Sequence, residues 1–132
     1  MRKLRFLPLL LILFISGAAQ AQSASQLKDI LEQFCLENYD SYFNPRQYVA
    51  NSLKISDIQR DGSTIYVEGT HSYRGPHVPV WGRTTFTDRG FKAILKPYDE
   101  GYKIEFWRWH KSYRLGVKSY WDGPCKKYFE PD

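Results

Sequence analysis

Leu53-Lys54-Ile55-Ser56-Asp57-Ile58-Gln59-Arg60-Asp61-Gly62-Ser63-Thr64-Ile65-Tyr66-Val67-Glu68-Gly69-Thr70-His71-Ser72-Tyr73-Arg74 is the stretch that decides the fold. Its first six residues alternate apolar and polar, the period of a half-buried strand. Arg60-Asp61-Gly62-Ser63 has turn chemistry, and residues 64–74 continue as a second strand with Ile65, Val67 and Tyr73 on one face. Two strands joined by so short a turn form an antiparallel hairpin.

Upstream the period is helical. Ser23-Ala24-Ser25-Gln26 offers a capping box, and Leu27, Ile30, Leu31, Phe34 and Asn38 follow three-and-four spacing, which predicts a helix over residues 25–43. Asn44-Pro45-Arg46-Gln47 reads as a second cap and predicts a short helix to about residue 51. Downstream, Gly75-Pro76-His77-Val78-Pro79 breaks the ladder because proline lacks an amide donor. Residues 80–87, 91–96 and 102–110 read as three further strands, separated by Asp88-Arg89-Gly90 and by a turn over residues 97–101. The tail carries Tyr113, Leu115, Val117, Tyr120 and Trp121, too apolar to hang free, and is expected to return along the sheet or its edge. The fold class is α+β: an N-terminal helix on a curled antiparallel sheet of four to five strands.

The totals agree with a single domain. Of 132 residues, 42% are hydrophobic and 17% aromatic, enough for a packed core, and no repeat or linker divides the chain. Arg2, Lys3 and Arg5, the apolar run over residues 6–15 and Ala19-Gln20-Ala21 form the three parts of a secretory signal peptide. The apolar run is about half of the ~20 residues a membrane anchor needs. The expected organisation is a signal peptide over residues 1–21 and a domain over 22–132, with no membrane span after cleavage and a periplasmic or secreted location. Three of the 19 basic residues belong to the leader, so the balance beyond it is 16 against 14 acidic. That is too small an excess for a nucleic-acid partner. The remaining cations gather after residue 82, where an anionic partner would meet the chain.

Cys35 and Cys125 are the two cysteines. In an oxidising compartment an even pair reads as a disulfide. Closing a loop this long would disfavour the unfolded chain by about 4–5 kcal/mol. The tail would then be pinned to the helix.

The helix, the antiparallel meander and Asp99-Glu100-Gly101-Tyr102-Lys103-Ile104 before the last strand resemble small cystatin-like and NTF2-like domains. The resemblance spans about residues 25–110 and implies an architecture only, because such folds host inhibitors, binding modules and enzymes alike.

Strong chemical motifs are missing: no phosphate-binding glycine loop, nucleophile elbow or zinc spacing is present, and the sequence implies no catalytic group, cofactor or metal. Two patterns remain. Strand parity puts Ile65, Val67, Gly69, His71 and Tyr73 on one face, and Tyr102, Ile104, Phe106, Arg108 and His110 on another. Both rows run from apolar to polar. His71, Arg108 and His110 are therefore candidates for the polar mouth of a concave sheet, against the plainer reading that the strands simply emerge into solvent there. Trp107 and Trp109 share the opposite face, with Trp81 and Trp121 as candidate neighbours. They form either an aromatic binding surface or, as the sequence favours, a second small core under the tail.

These features favour a secreted or periplasmic binding module, such as an inhibitor or immunity-type protein, engaging an envelope protein or cell-wall material. The alternatives are a small pocket enzyme using His71 or His110 as acid or base with Arg108 on an anionic substrate, and a structural envelope accessory.

Overall fold

The computed structural model describes residues 23–112, 116 and 118–131. The expected signal peptide lies outside the described residues, as do Tyr113, Leu115 and Val117. Ser23 caps helix α1 (Ala24–Tyr42): its Oγ accepts from the Gln26 N–H at 3.1 Å, and Gln26 Oε1 accepts from the Ser23 N–H at 2.8 Å. Both bonds satisfy first-turn donors that have no partner within the helix. Leu27, Ile30, Leu31, Phe34, Cys35 and Tyr39 form its buried stripe. Tyr39 continues that stripe where Asn38 was expected; Asn38 turns aside and donates to the Phe34 carbonyl at 3.1 Å.

The short second helix expected after Asn44 does not form. Instead Gln47–Tyr48 is strand β1, paired with Arg74 and Tyr73. Glu32 of α1 also holds this segment, accepting from the Tyr48 hydroxyl and, at 2.6 Å, from the Asn51 N–H. The sheet edge and a helical carboxylate thus satisfy groups that a separate helix would have had to satisfy alone.

The strands that follow are β2 (Lys54–Asp61), β3 (Thr64–Arg74), β4 (Thr85–Tyr98), β5 (Gly101–Ser112) and β6 (Lys118–Phe129). All pairings are antiparallel, in the order β1-β3-β4-β5-β6, with β2 beside β3. The sheet therefore has six strands, one more than the upper bound read from the sequence. It curls as a half-barrel around α1.

Of the two expected strands, 80–87 and 91–96, residues 85–87 and 91–96 belong to the one strand β4, while residues 80–84 precede it, in the turn closed by the Val78–Gly82 bridge and the link that follows. Asp88-Arg89-Gly90 is an irregularity within β4, opposite a register shift between His71 and Tyr73; Asp88 takes φ 51° and its N–H donates to Ser72 Oγ at 3.1 Å. Such a bulge bends a strand without ending it. Gly69 permits another close approach: a Cβ there would lie 1.9 Å from the Lys54 carbonyl oxygen.

The core lies between α1 and the concave face. Phe106 stacks on Phe91 at 5.4 Å and meets Phe34 at 5.9 Å, and Phe34 meets Phe129 edge-on. The tail returns along the sheet edge as β6, with Phe129 turned into this core.

The expected Cys35–Cys125 bridge is not found. Both residues are buried free thiols. Cys35 stands on the helical stripe and Cys125 opposite Phe106, so each acts as a small apolar core residue. Burial is the main cause that pushes both thiols up, Cys125 to about 11, which keeps them protonated and unreactive.

Candidate functional site

The apolar-to-polar rows on β3 and β5 both face inward, and their polar ends converge where α1 stops. Arg108 and Asp122 are direct cross-strand neighbours on β5 and β6. The Arg108 Nε and Nη2 donate to Asp122 Oδ2 at 3.1 and 2.9 Å, and Nη1 donates to the Tyr39 hydroxyl at 3.1 Å. Its guanidinium carbon lies 4.4 Å from the Phe43 ring centre and 4.6 Å from that of Tyr73. A buried cation must be paired and ringed in this way to offset its lost hydration. Arg108 thus ties three elements together.

Around this pair opens a cavity of about 760 Å³, lined on the helix side by Tyr42 to Arg46 and on the sheet side by Phe86, His110, Lys111 and Tyr120. Of the three residues expected at the mouth, the structure brings Arg108 and His110 to its wall. His71 is not there: it is fully buried below the cavity, among Tyr39, Tyr48, Tyr73, Phe91 and Phe106. Three tyrosines and two phenylalanines close over it, which the alternation along β3 could not foretell.

The two imidazoles differ in their bonds. His71 Nδ1 lies 2.8 Å from the Arg89 carbonyl oxygen, which can only accept, so Nδ1 carries the proton. His71 Nε2 is then a buried acceptor without a hydrogen-bond partner. His110 Nδ1 lies 2.8 Å from the Tyr73 hydroxyl, whose other neighbour, the Trp109 carbonyl, is at 3.3 Å. The carbonyl can only accept, so the phenol donates to it, and the Nδ1 contact takes its direction from the tautomer of His110. Burial, followed for His110 by the charges of Arg108 and Arg46, lowers both histidines to about 4. Both are neutral at neutral pH, far below the range in which an imidazole exchanges protons efficiently.

These depressed values predict an acid-sensitive fold. The unfolded imidazoles bind protons below their usual 6.5, whereas the folded ones resist until about 4. Their stabilisation is complete above 6.5 and is lost as the pH falls through that window. For His71 the loss is on the order of 3 kcal/mol. His71→Asn retains an amide donor for the Arg89 carbonyl and cannot titrate. Its urea midpoints should change much less between 6.5 and 4 than those of the wild type; equal acid sensitivity would exclude His71 as the cause.

The outer face carries the other candidate surface. Trp109 and Trp121 are cross-strand partners in edge-on contact at 5.2 Å, and Lys92 Nζ stands 4.3 Å from the Trp121 ring centre. A groove of about 340 Å³ runs between Tyr66, Trp107 and Trp121. The described part of the tail therefore does not lie over Trp107 and Trp109 as a second core. Its backbone pairs with the β5 edge, so β6 adds Trp121 beside them instead. Trp81 is separate: it is 84% exposed on the turn closed by the Val78–Gly82 bridge and makes no ring contact with the other indoles.

Among the described residues no group of three or more His, Cys, Asp or Glu side chains is placed to hold a metal, and no helix is long and apolar enough to cross a membrane. No family model, curated protein or solved structure matches the chain. The site is legible only through its own geometry. Tyr39, Phe43, Arg46, Tyr73 and Asp122 complete it and were not among the candidates read from the sequence for this mouth. Tyr39 and Tyr73 carried a signal, standing on the buried helical stripe and on the inward strand row; Arg46 and Asp122 carried none.

Proposed function

We propose that the chain is a small binding module of the cell envelope, secreted or periplasmic, built on a cystatin- or NTF2-like half-barrel. It engages an envelope protein or cell-wall material through the cavity at the end of α1. The supporting observation is that the polar chemistry of the mouth is already committed. Arg108 spends three donors on Asp122 and Tyr39, and His110 is neutral and bonded to Tyr73. What remains is shaped space with charge around it, which suits holding a ligand rather than transforming one.

Capture from an envelope extract tests this reading. Wild type should retain a partner, and folded Tyr120→Ala, which trims the wall of the cavity, should retain less of it. If wild type captures nothing, or if folded Tyr120→Ala retains the partner undiminished, the reading of this cavity as the binding site fails. Export is tested separately by sequencing the N-terminus of protein recovered from the envelope fraction, where Gln22 is the expected first residue.

A further inference from the structure

We propose that the turn over residues 78–82 is a peripheral membrane contact, which seats in the headgroup region of a bilayer carrying anionic lipid. Val78-Pro79-Val80-Trp81-Gly82 turns its apolar side chains outward: Val80 is 96% exposed and Trp81 84%, with Val78 exposed beside them. Single exposed apolar residues are ordinary, but three on one turn make a patch that water disfavours. The backbone is also held against local preference. Pro79 starts a turn closed by the Trp81 N–H, which donates to the Val78 carbonyl at 3.1 Å, and Val80 takes φ 78° where glycine or asparagine is usual. A β-branched residue at positive φ is strained, and strain of this kind concentrates at functional segments.

The hydrogen bonds of the turn favour lipid over a protein cleft. The Val78 N–H donates to the Gly82 carbonyl at 2.9 Å and the Gly82 N–H to the Val78 carbonyl at 2.7 Å, while Pro79 has no N–H. Amides bonded within the turn enter a poorly hydrated layer at little cost and leave few groups for directional recognition. Indole rings settle at headgroup level. The charge around the turn complements an anionic surface. Arg74 precedes it and Arg83 follows it, both exposed, and Arg83 Nη1 donates to Gln47 Oε1 at 3.0 Å at its base. Residues 41–56 and 69–87, the segments that pair as β1 and β3 at this end, contain no carboxylate.

Sedimentation of protein recovered from the envelope fraction with phosphatidylglycerol or phosphatidylcholine vesicles tests this contact. Partitioning should be at least tenfold stronger onto phosphatidylglycerol, weaken with salt, and move tryptophan emission to shorter wavelength. Trp81→Ala should weaken it roughly tenfold and abolish the emission change, whereas Trp121→Ala on the outer sheet face should leave both intact. Val80→Gly guards against a folding defect, because glycine takes φ 78° without strain: its urea midpoint should stay close to that of the wild type while partitioning falls severalfold. Partitioning unchanged by Trp81→Ala and Val80→Gly would reduce the effect to the net charge of the domain and overturn the proposal. No partitioning onto either vesicle would overturn it as well, and a captured envelope protein lost in Trp81→Ala would then assign the turn to a protein partner. Tyr120→Ala tests the cavity independently, so failure at the turn and failure at the cavity are distinguishable.

Discussion

Asp122→Ala is expected to destabilise the domain by about 3 kcal/mol, because it leaves the Arg108 guanidinium buried without its counter-charge. The Arg108 side chain is only 5% exposed, whereas that of Asp122 is 33% exposed, so some water reaches the pair and the loss falls at the lower end of the range for broken buried ion pairs. The cost comes from stranding a charge, not from the worth of the bond. Arg108→Met in the Asp122→Ala background should therefore recover most of it, since an unbranched apolar chain can occupy the ring-lined slot formed by Phe43 and Tyr73. Urea unfolding of both single variants and the double variant measures the coupling. A loss for Asp122→Ala of less than about 1 kcal/mol would place the pair among solvated surface bridges.

Phe106→Ala should cost roughly 3–5 kcal/mol. The ring is 1% exposed, stacked on Phe91 with 10° between planes and in contact with Phe34 from the helix. Its loss leaves an apolar void between both layers of the fold, and dispersion contacts vanish on every side. Tyr66→Ala provides the internal control. Tyr66 is 41% exposed on the outer face, so the same truncation should cost about 1 kcal/mol or less. Thermal or urea unfolding of the two variants reads the inward and outward faces of the sheet directly, and equal losses would contradict the assignment of faces.

The mouth and the outer groove are separated by the thickness of the sheet, so substitutions at one should leave the other intact. This follows from strand parity. Arg108 and His110 alternate with Trp107 and Trp109 on β5, and Asp122 alternates with Trp121 on β6. One pair of strands therefore supplies a charged inner wall and an aromatic outer wall from adjacent residues.

Much of this was visible in the sequence because it depends on near neighbours. The capping box at Ser23 and Gln26, the stripe from Leu27 to Phe34, the hairpin around Gly62 and the inward rows of β3 and β5 all follow from local chemistry and periodicity. The errors have a common cause. Asn44-Pro45-Arg46-Gln47 has a helix-start composition, yet Glu32 and the β3 edge hold the segment extended. Asp88-Arg89-Gly90 has a turn composition, yet pairing on both sides carries β4 through it as a bulge. In each case a partner far away in the chain outweighed the local preference.

By itself the sequence determined the helix, the antiparallel meander and which residues of β3 and β5 face inward, since side-chain periodicity is fixed by backbone geometry. Only the tertiary structure decided that Arg108 meets Asp122 and Tyr39, that His71 sinks below the mouth, and that Arg46 reaches the cavity wall. Those outcomes depend on register, bulges and the point where α1 ends over the curled sheet. They are set by the cost of burying charge and the packing of rings across long separations, and such contacts have no period to read.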